Sequence, residues 1–211
     1  MDASSELISV WSYGLAGCVY ALFAIYLASN WRADLPNRSL LVAIVLSAVW
    51  GLSGLGFALT EEQVFLAGSL FADLLRHAGW YFFLLVLLRP ETKEPGPLPL
   101  RLQSLIGIAA ALFVVGVLAQ LMVLSGFSAF GPPQRLVLLD SLAMAVFSLA
   151  LVEQLFRAAS ADRVWSIKPL CFGLGGAALF DLYLYSDALL FNRVDVDAFS
   201  IRGFVHALVV P

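Results

Sequence analysis

Long apolar runs return again and again along this chain, and they limit its fold more than any other feature. The hydrocarbon core of a bilayer is about 30 Å thick and takes about 20 helical residues to cross. Runs of that kind predict helices over roughly 7–29, 40–59, 64–88, 102–125, 136–158 and 167–190, with a seventh opening near 199. The last run reaches the end of the sequence after about 13 residues, or roughly 20 Å of rise, short of a full crossing. Membrane β-strands instead alternate with a period of two, and these runs do not. The fold class is therefore all-α: a polytopic transmembrane bundle of six complete helices plus a seventh truncated at the C-terminus. A hydrophobic fraction of 61% and a mean hydropathy of +0.91 fit a chain whose main partner is the lipid bilayer.

The opening "MDASSE" lacks a basic region, and the run behind it is too long for a cleaved signal, so the first helix is expected to remain. Basic residues in short loops set orientation. Arg32 and Arg38 lie between helices one and two, Arg89, Lys93 and Arg101 between three and four, and Arg157, Arg163 and Lys168 between five and six. The alternate loops carry "TEEQ" and "SGFSAFGPPQR", with Arg135 alone, although Arg193 and Arg202 follow helix six. The balance predicts an outside N-terminus, with the loops near Glu61 and Gly131 outside and those near Pro95 and Asp162 in the cytoplasm. "RPETKEPGPLPLR" reads as an extended cytoplasmic spacer, because its prolines block helix.

Small residues four apart, Gly54 with Ala58 and Gly173 with Ala177, predict that helices two and six are closely packed interior elements. Cys18 and Cys171 fall inside membrane runs and read as packing residues. No metal site is expected of them, since a structural site normally takes four ligands.

The functional signal lies in ionisable groups placed within the membrane, where a charge costs about 2.5–3.5 kcal/mol on insertion scales. They are Asp73, Arg76 and His77 on helix three, Asp140 on helix five, Asp181 and Asp187 on helix six, and Arg202 and His206 on helix seven. Tyr185 stands one turn from Asp181 and joins the candidate network. With the N-terminus outside, these groups form a polar funnel running from the outer face to mid-depth. Such a set either fixes the bundle by pairing across helices or forms a pocket for a small polar ligand or a proton. Asp187 stands near the outer headgroup level and fits an interfacial belt as well as the pocket. Asp73 has Arg76 and His77 one turn away on its own helix, whereas Asp181 needs a donor from elsewhere. His206 can donate while neutral, so helices six and seven are expected to be neighbours with a hydrogen bond between Asp181 and His206.

The stretch "WSIKPLCFGLGGAALFDLYLYSDALLFNRVDVDAFSIRGFVHALVVP", residues 165–211, resembles the corresponding membrane segment of the PEP-CTERM-system sensor histidine kinases called PrsK. The matching features are "SIKPLCFGLGG", a "YDLYLYSDALLF"-like block with Phe180 in place of the tyrosine, an arginine and two acids after it, and "RGFVHALVVP". Over residues 1–164 the likeness is mainly topological. The resemblance implies a bacterial inner-membrane sensory and anchoring module over residues 1–211, with kinase domains beyond residue 211. It also implies ATP and Mg as cofactors of those domains and none of this chain, a homodimer, a response regulator as partner, and no nucleic acid. His77 and His206 are the only histidines and both are predicted within the membrane, so neither meets ATP and no catalytic residue is assigned here.

Three other classes compete. A small-molecule transporter or channel would use the same charges as a substrate path, and flux without a kinase would distinguish it. A rhodopsin-like photoreceptor needs a lysine in its last helix for a Schiff base, but Lys93 and Lys168 lie in or beside loops. An intramembrane aspartyl protease needs a second acid where "GLGG" has none.

Overall fold

A computed structural model describes residues 3–30, 34–89, 98–126, 133–159 and 161–208. Six long helices follow one another: α1 (Ala3–Ser29), α2 (Leu35–Thr60), α3 (Gln63–Leu87), α4 (Leu100–Ser125), α5 (Pro133–Ala158) and α6 (Ala161–Phe191). Two short ones, α7 (Val196–Ser200) and α8 (Arg202–Leu208), complete the chain. All six long helices are long and apolar enough to cross a membrane. The protein is an all-α, multi-pass membrane bundle. Loop positions 95 and 131, used above to predict sidedness, and most of the proline-rich spacer lie outside the described residues.

Local chemistry accounts for several boundaries. Asp34 caps α2 by accepting from the Asn37 amide, and Pro36 stands in the first turn, where its missing N–H costs nothing. At the other end Glu61 takes a left-handed conformation and returns its N–H to Phe57. Gly126 ends α4 in the same conformation. The longest departure from expectation is α6, which begins at Ala161 and continues through Pro169. Pro169 stands more than two turns in, so it removes the hydrogen bond to the carbonyl four residues earlier and crowds that carbonyl, yet the helix continues through it. The seventh helix also differs from the single helix expected to open near 199. Asp195 accepts from the Asp197 and Ala198 amides and starts α7 earlier, and after Ile201 the chain begins α8 separately.

Each helix packs on its successor from α1 to α6, α3 also meets α5, and α8 packs on both α1 and α6. The neighbours therefore form a circuit, α8–α1–α2–α3–α5–α6, with α4 set outside against α3 and α5. The most enclosed helix is α3 and the least is α4. Large apolar side chains such as Leu22, Ile25, Val114 and Phe172 point outward, as lipid contact requires. One core cluster joins Tyr20, Ile44, Trp50 and Phe83, and a second joins Leu84, Met144, Phe147 and Leu151.

Close backbone packing is expected for helices two and six, and α2 has it. A Cβ placed on Gly51 would lie 2.6 Å from the Gly17 amide nitrogen, so α1 and α2 touch backbone to backbone. On α6, Gly176 has open space and Gly175 meets only a Val152 methyl at 4.0 Å. Small residues in a membrane helix permit close approach but do not compel it, and α6 presents its glycine turn to a looser neighbour.

Candidate functional site

The sequence places acids and bases on four helices, and the fold brings those of α3, α6 and α8 together. Asp73 and Arg76 share a face of α3, where Arg76 donates through Nε at 3.0 Å and Nη2 at 2.8 Å to Asp73 Oδ1. From α8, Arg202 spans the gap to both other helices. Its Nε and Nη2 fork onto the two oxygens of Asp181 at 2.7 and 3.0 Å, and Nη2 also reaches Asp73 Oδ2 at 3.0 Å. Two-pronged guanidinium–carboxylate contacts of this kind are the stronger, directional form of ion pair. Arg76 adds a longer contact of 3.4 Å to Asp181, and the Tyr185 hydroxyl donates to Asp73 at 3.3 Å. Two carboxylates thus balance two guanidiniums, and only Asp73 keeps appreciable exposure, 15% of its side chain.

The hydrogen-bond partners fix the state of the histidines. A guanidinium has no acceptor, so Arg76 Nη1, 2.8 Å from His206 Nδ1, requires a lone pair there. The proton of neutral His206 then sits on Nε2, which donates to Asp181 Oδ1 at 3.2 Å. This is the expected bond between α6 and the seventh segment. His77 carries the opposite tautomer: its Nδ1 lies 2.9 Å from the Asp73 carbonyl, which only accepts. Its Nε2 is left with a lone pair, 4.0 Å from Asp181 Oδ2.

Trp50, fully buried on α2, lies under both guanidiniums, with its ring 4.4 Å from Arg76 and 5.2 Å from Arg202, and meets His206 edge-on at 5.1 Å. A π face beneath two desolvated cations stabilises each of them. α1 holds the backbone of α8 in place. Ser12 Oγ accepts from the Phe204 amide at 2.9 Å, Tyr20 donates to the His206 carbonyl at 3.0 Å, and a Cβ on Gly203 would come within 2.5 Å of the Ser12 carbonyl oxygen. Only glycine allows α8 to lie this close.

Of the candidates read from sequence, Asp73, Arg76, His77, Asp181, Tyr185, Arg202 and His206 meet. They gather in one focal cluster, with Arg202 buried among them. Asp140 is also buried but lies apart, wedged against Gly116 of α4 and Leu74 of α3, with no partner for Oδ1 among the described residues. Asp187 is half-buried near the end of α6 and makes no hydrogen bond or ion pair among the described residues. Tyr185 turns from its helical neighbour Asp181 to Asp73 across the bundle, and Tyr183 faces outward.

Trp50, Tyr20 and Ser12 escaped the sequence reading. A signal existed for Trp50, since tryptophan favours the membrane interfaces and this one stands mid-helix. Ser12 and Tyr20 have no such mark. Among the described residues no group of three or more His, Cys, Asp or Glu side chains is placed to hold a metal ion. Comparison with protein-family models, with curated proteins and with solved structures returns no match.

Proposed function

We propose that this chain is the membrane-embedded sensory module of a bacterial two-component sensor histidine kinase of the PEP-CTERM type, held in the inner membrane with its N-terminus periplasmic. One observation carries the reading: Arg202 on α8, the last described helix, is bonded to acids on both α3 and α6. A change of charge or hydrogen bonding in the interior therefore alters what holds α8, and with α8 the start of whatever follows it. A ligand or proton shifts an equilibrium only by interacting differently with its two states, and a cluster joined at three helices offers such a difference. On this reading the ATP, the Mg and the response regulator belong to cytoplasmic kinase domains, and the full-length protein works as a homodimer.

The transporter reading has less support. The acids and guanidiniums of the cluster spend their bonding capacity on one another. The test uses the full-length protein in inverted membrane vesicles with radiolabelled ATP. Expected are acid-labile phosphate on a histidine and a changed labelling rate for Asp181→Asn and Arg202→Gln at equal membrane levels. Absence of labelling in the wild type, or identical labelling in all three chains, overturns the proposal.

A further inference from the structure

A cavity of about 40 Å³ adjoins the charge cluster on one side. Its walls come from α1, from the middle and C-terminal parts of α3 and α5, from the middle of α6 and from His206 of α8. Leu84, Val152, Leu174 and Ala177 make most of it apolar, while Arg76, His77, Asp181 and His206 close its polar end.

Most polar atoms at that end are already engaged. Arg76 donates to Asp73 and His206, and both nitrogens of His206 are engaged. Asp181 Oδ1 receives Arg202 and His206, and Oδ2 receives Arg202 at 3.0 Å and Arg76 at 3.4 Å. On the side wall Tyr81 donates to the Met144 carbonyl, as does Ser148. His77 Nε2 is left over: its ring is buried, and the 4.0 Å to Asp181 Oδ2 is too long for a hydrogen bond. The cavity thus ends in a lone pair beside a carboxylate oxygen, and its occupant must be a donor. A cation would face Arg76 and an anion would face Asp181, so that donor is uncharged. A water needs roughly 10–15 Å³ of such space, which gives room for about three waters or an organic molecule of similar size.

We propose that this cavity is a binding site for a small uncharged hydroxyl compound, water or a short-chain alcohol. Its O–H donates to His77 Nε2, and in an alcohol the carbon body lies against Leu84, Val152 and Leu174.

The chain has only two histidines, so nitrogen-15 histidine labelling of the bilayer-embedded protein yields two rings, assigned through His77→Gln. At neutral pH we expect His77 protonated on Nδ1 alone and His206 on Nε2 alone. Titration with 1-propanol should shift the His77 Nε2 resonance saturably and leave His206 unmoved, and either cavity-filling variant, Ala177→Leu or Val152→Phe, should lose the shift. No propanol shift but a water cross-peak to Nε2 identifies water as the occupant and supports the site. Neither signal, an equal propanol shift in the filled variants, or a doubly protonated His77 overturns the proposal. The last outcome would mean that a proton rather than a donor bridges His77 and Asp181.

Discussion

Replacing Asp181 by asparagine keeps the side chain's shape and removes one charge from a balanced set. Asp73 alone then faces both guanidiniums, and Arg202 keeps one of its two carboxylates while its Nε, 2.7 Å from Asp181 Oδ1, meets a neutral amide. Two unit charges 4 Å apart attract by about 4 kcal/mol at an effective dielectric of about 20. Removing one member of a buried pair costs about 3–5 kcal/mol, because the charge left behind stays desolvated. A single polar contact between membrane helices, by contrast, averages about 0.6 kcal/mol. The two expectations are far enough apart to measure. Reversible unfolding in mixed micelles should show Asp181→Asn reducing the folded-to-unfolded ratio by about a hundredfold to a few thousandfold, at tenfold per about 1.4 kcal/mol. The double variant Asp181→Asn with Arg202→Gln restores charge balance around Asp73 and Arg76, and it should be no less stable than Asp181→Asn alone. A single-variant loss below about 1 kcal/mol, or a double variant whose cost equals the sum of the singles, refutes the claim that charge balance holds this cluster together.

Asp140→Asn is the matched contrast: among the described residues Asp140 makes no ion pair, so the same substitution should leave stability unchanged within about 1 kcal/mol or raise it in the same unfolding assay. Trp50→Leu should lose about 2 kcal/mol or more beyond the change in apolar burial, from two buried cation–π contacts, while Trp50→Phe should retain part of that, as read by thermal unfolding. Gly203→Ala should cost about 1–3 kcal/mol by pushing α8 off Ser12, whereas Gly176→Ala should be neutral or stabilising; cysteine crosslinking between α1 and α8 would report the displacement directly.

Much of this structure is legible because lipid makes the code simple. Apolar runs must be helices, so all six spans could be read to within a few residues, apart from the early start of α6. The charge partners were partly legible for the same reason: a buried Asp181 needs a donor, and few donors exist at its depth. Which partner takes which oxygen was not, because that depends on where α8 enters. Counting inward from a helix start at 199 puts Arg202 in the first turn. In the fold, Asp195 starts a short helix first, and the turn at Ile201 carries the guanidinium into the core. Asp140 shows the opposite failure, since it stands on α5 as expected but packs against Gly116 of α4, apart from the cluster. Glycine spacing was equally ambiguous, because "GLSGLG" and "GLGGAA" look alike and only α2 meets a partner whose own Gly17 reciprocates.

The circuit that α8 closes also bears on how the chain is made. Synthesis runs from the N-terminus, and Arg202 is added 21 residues after Asp181. At about 5–20 residues per second, Asp181 is made roughly 1–4 s before its counter-charge exists. During that interval Asp73 and Asp181 have Arg76 alone between them. The sixth span therefore enters lipid as a poor transmembrane segment and becomes a good one only when the next arrives. Insertion of the two is a joint event, and a ribosome paused between residues 181 and 202 would leave the half-built bundle in the charge state that the finished protein avoids.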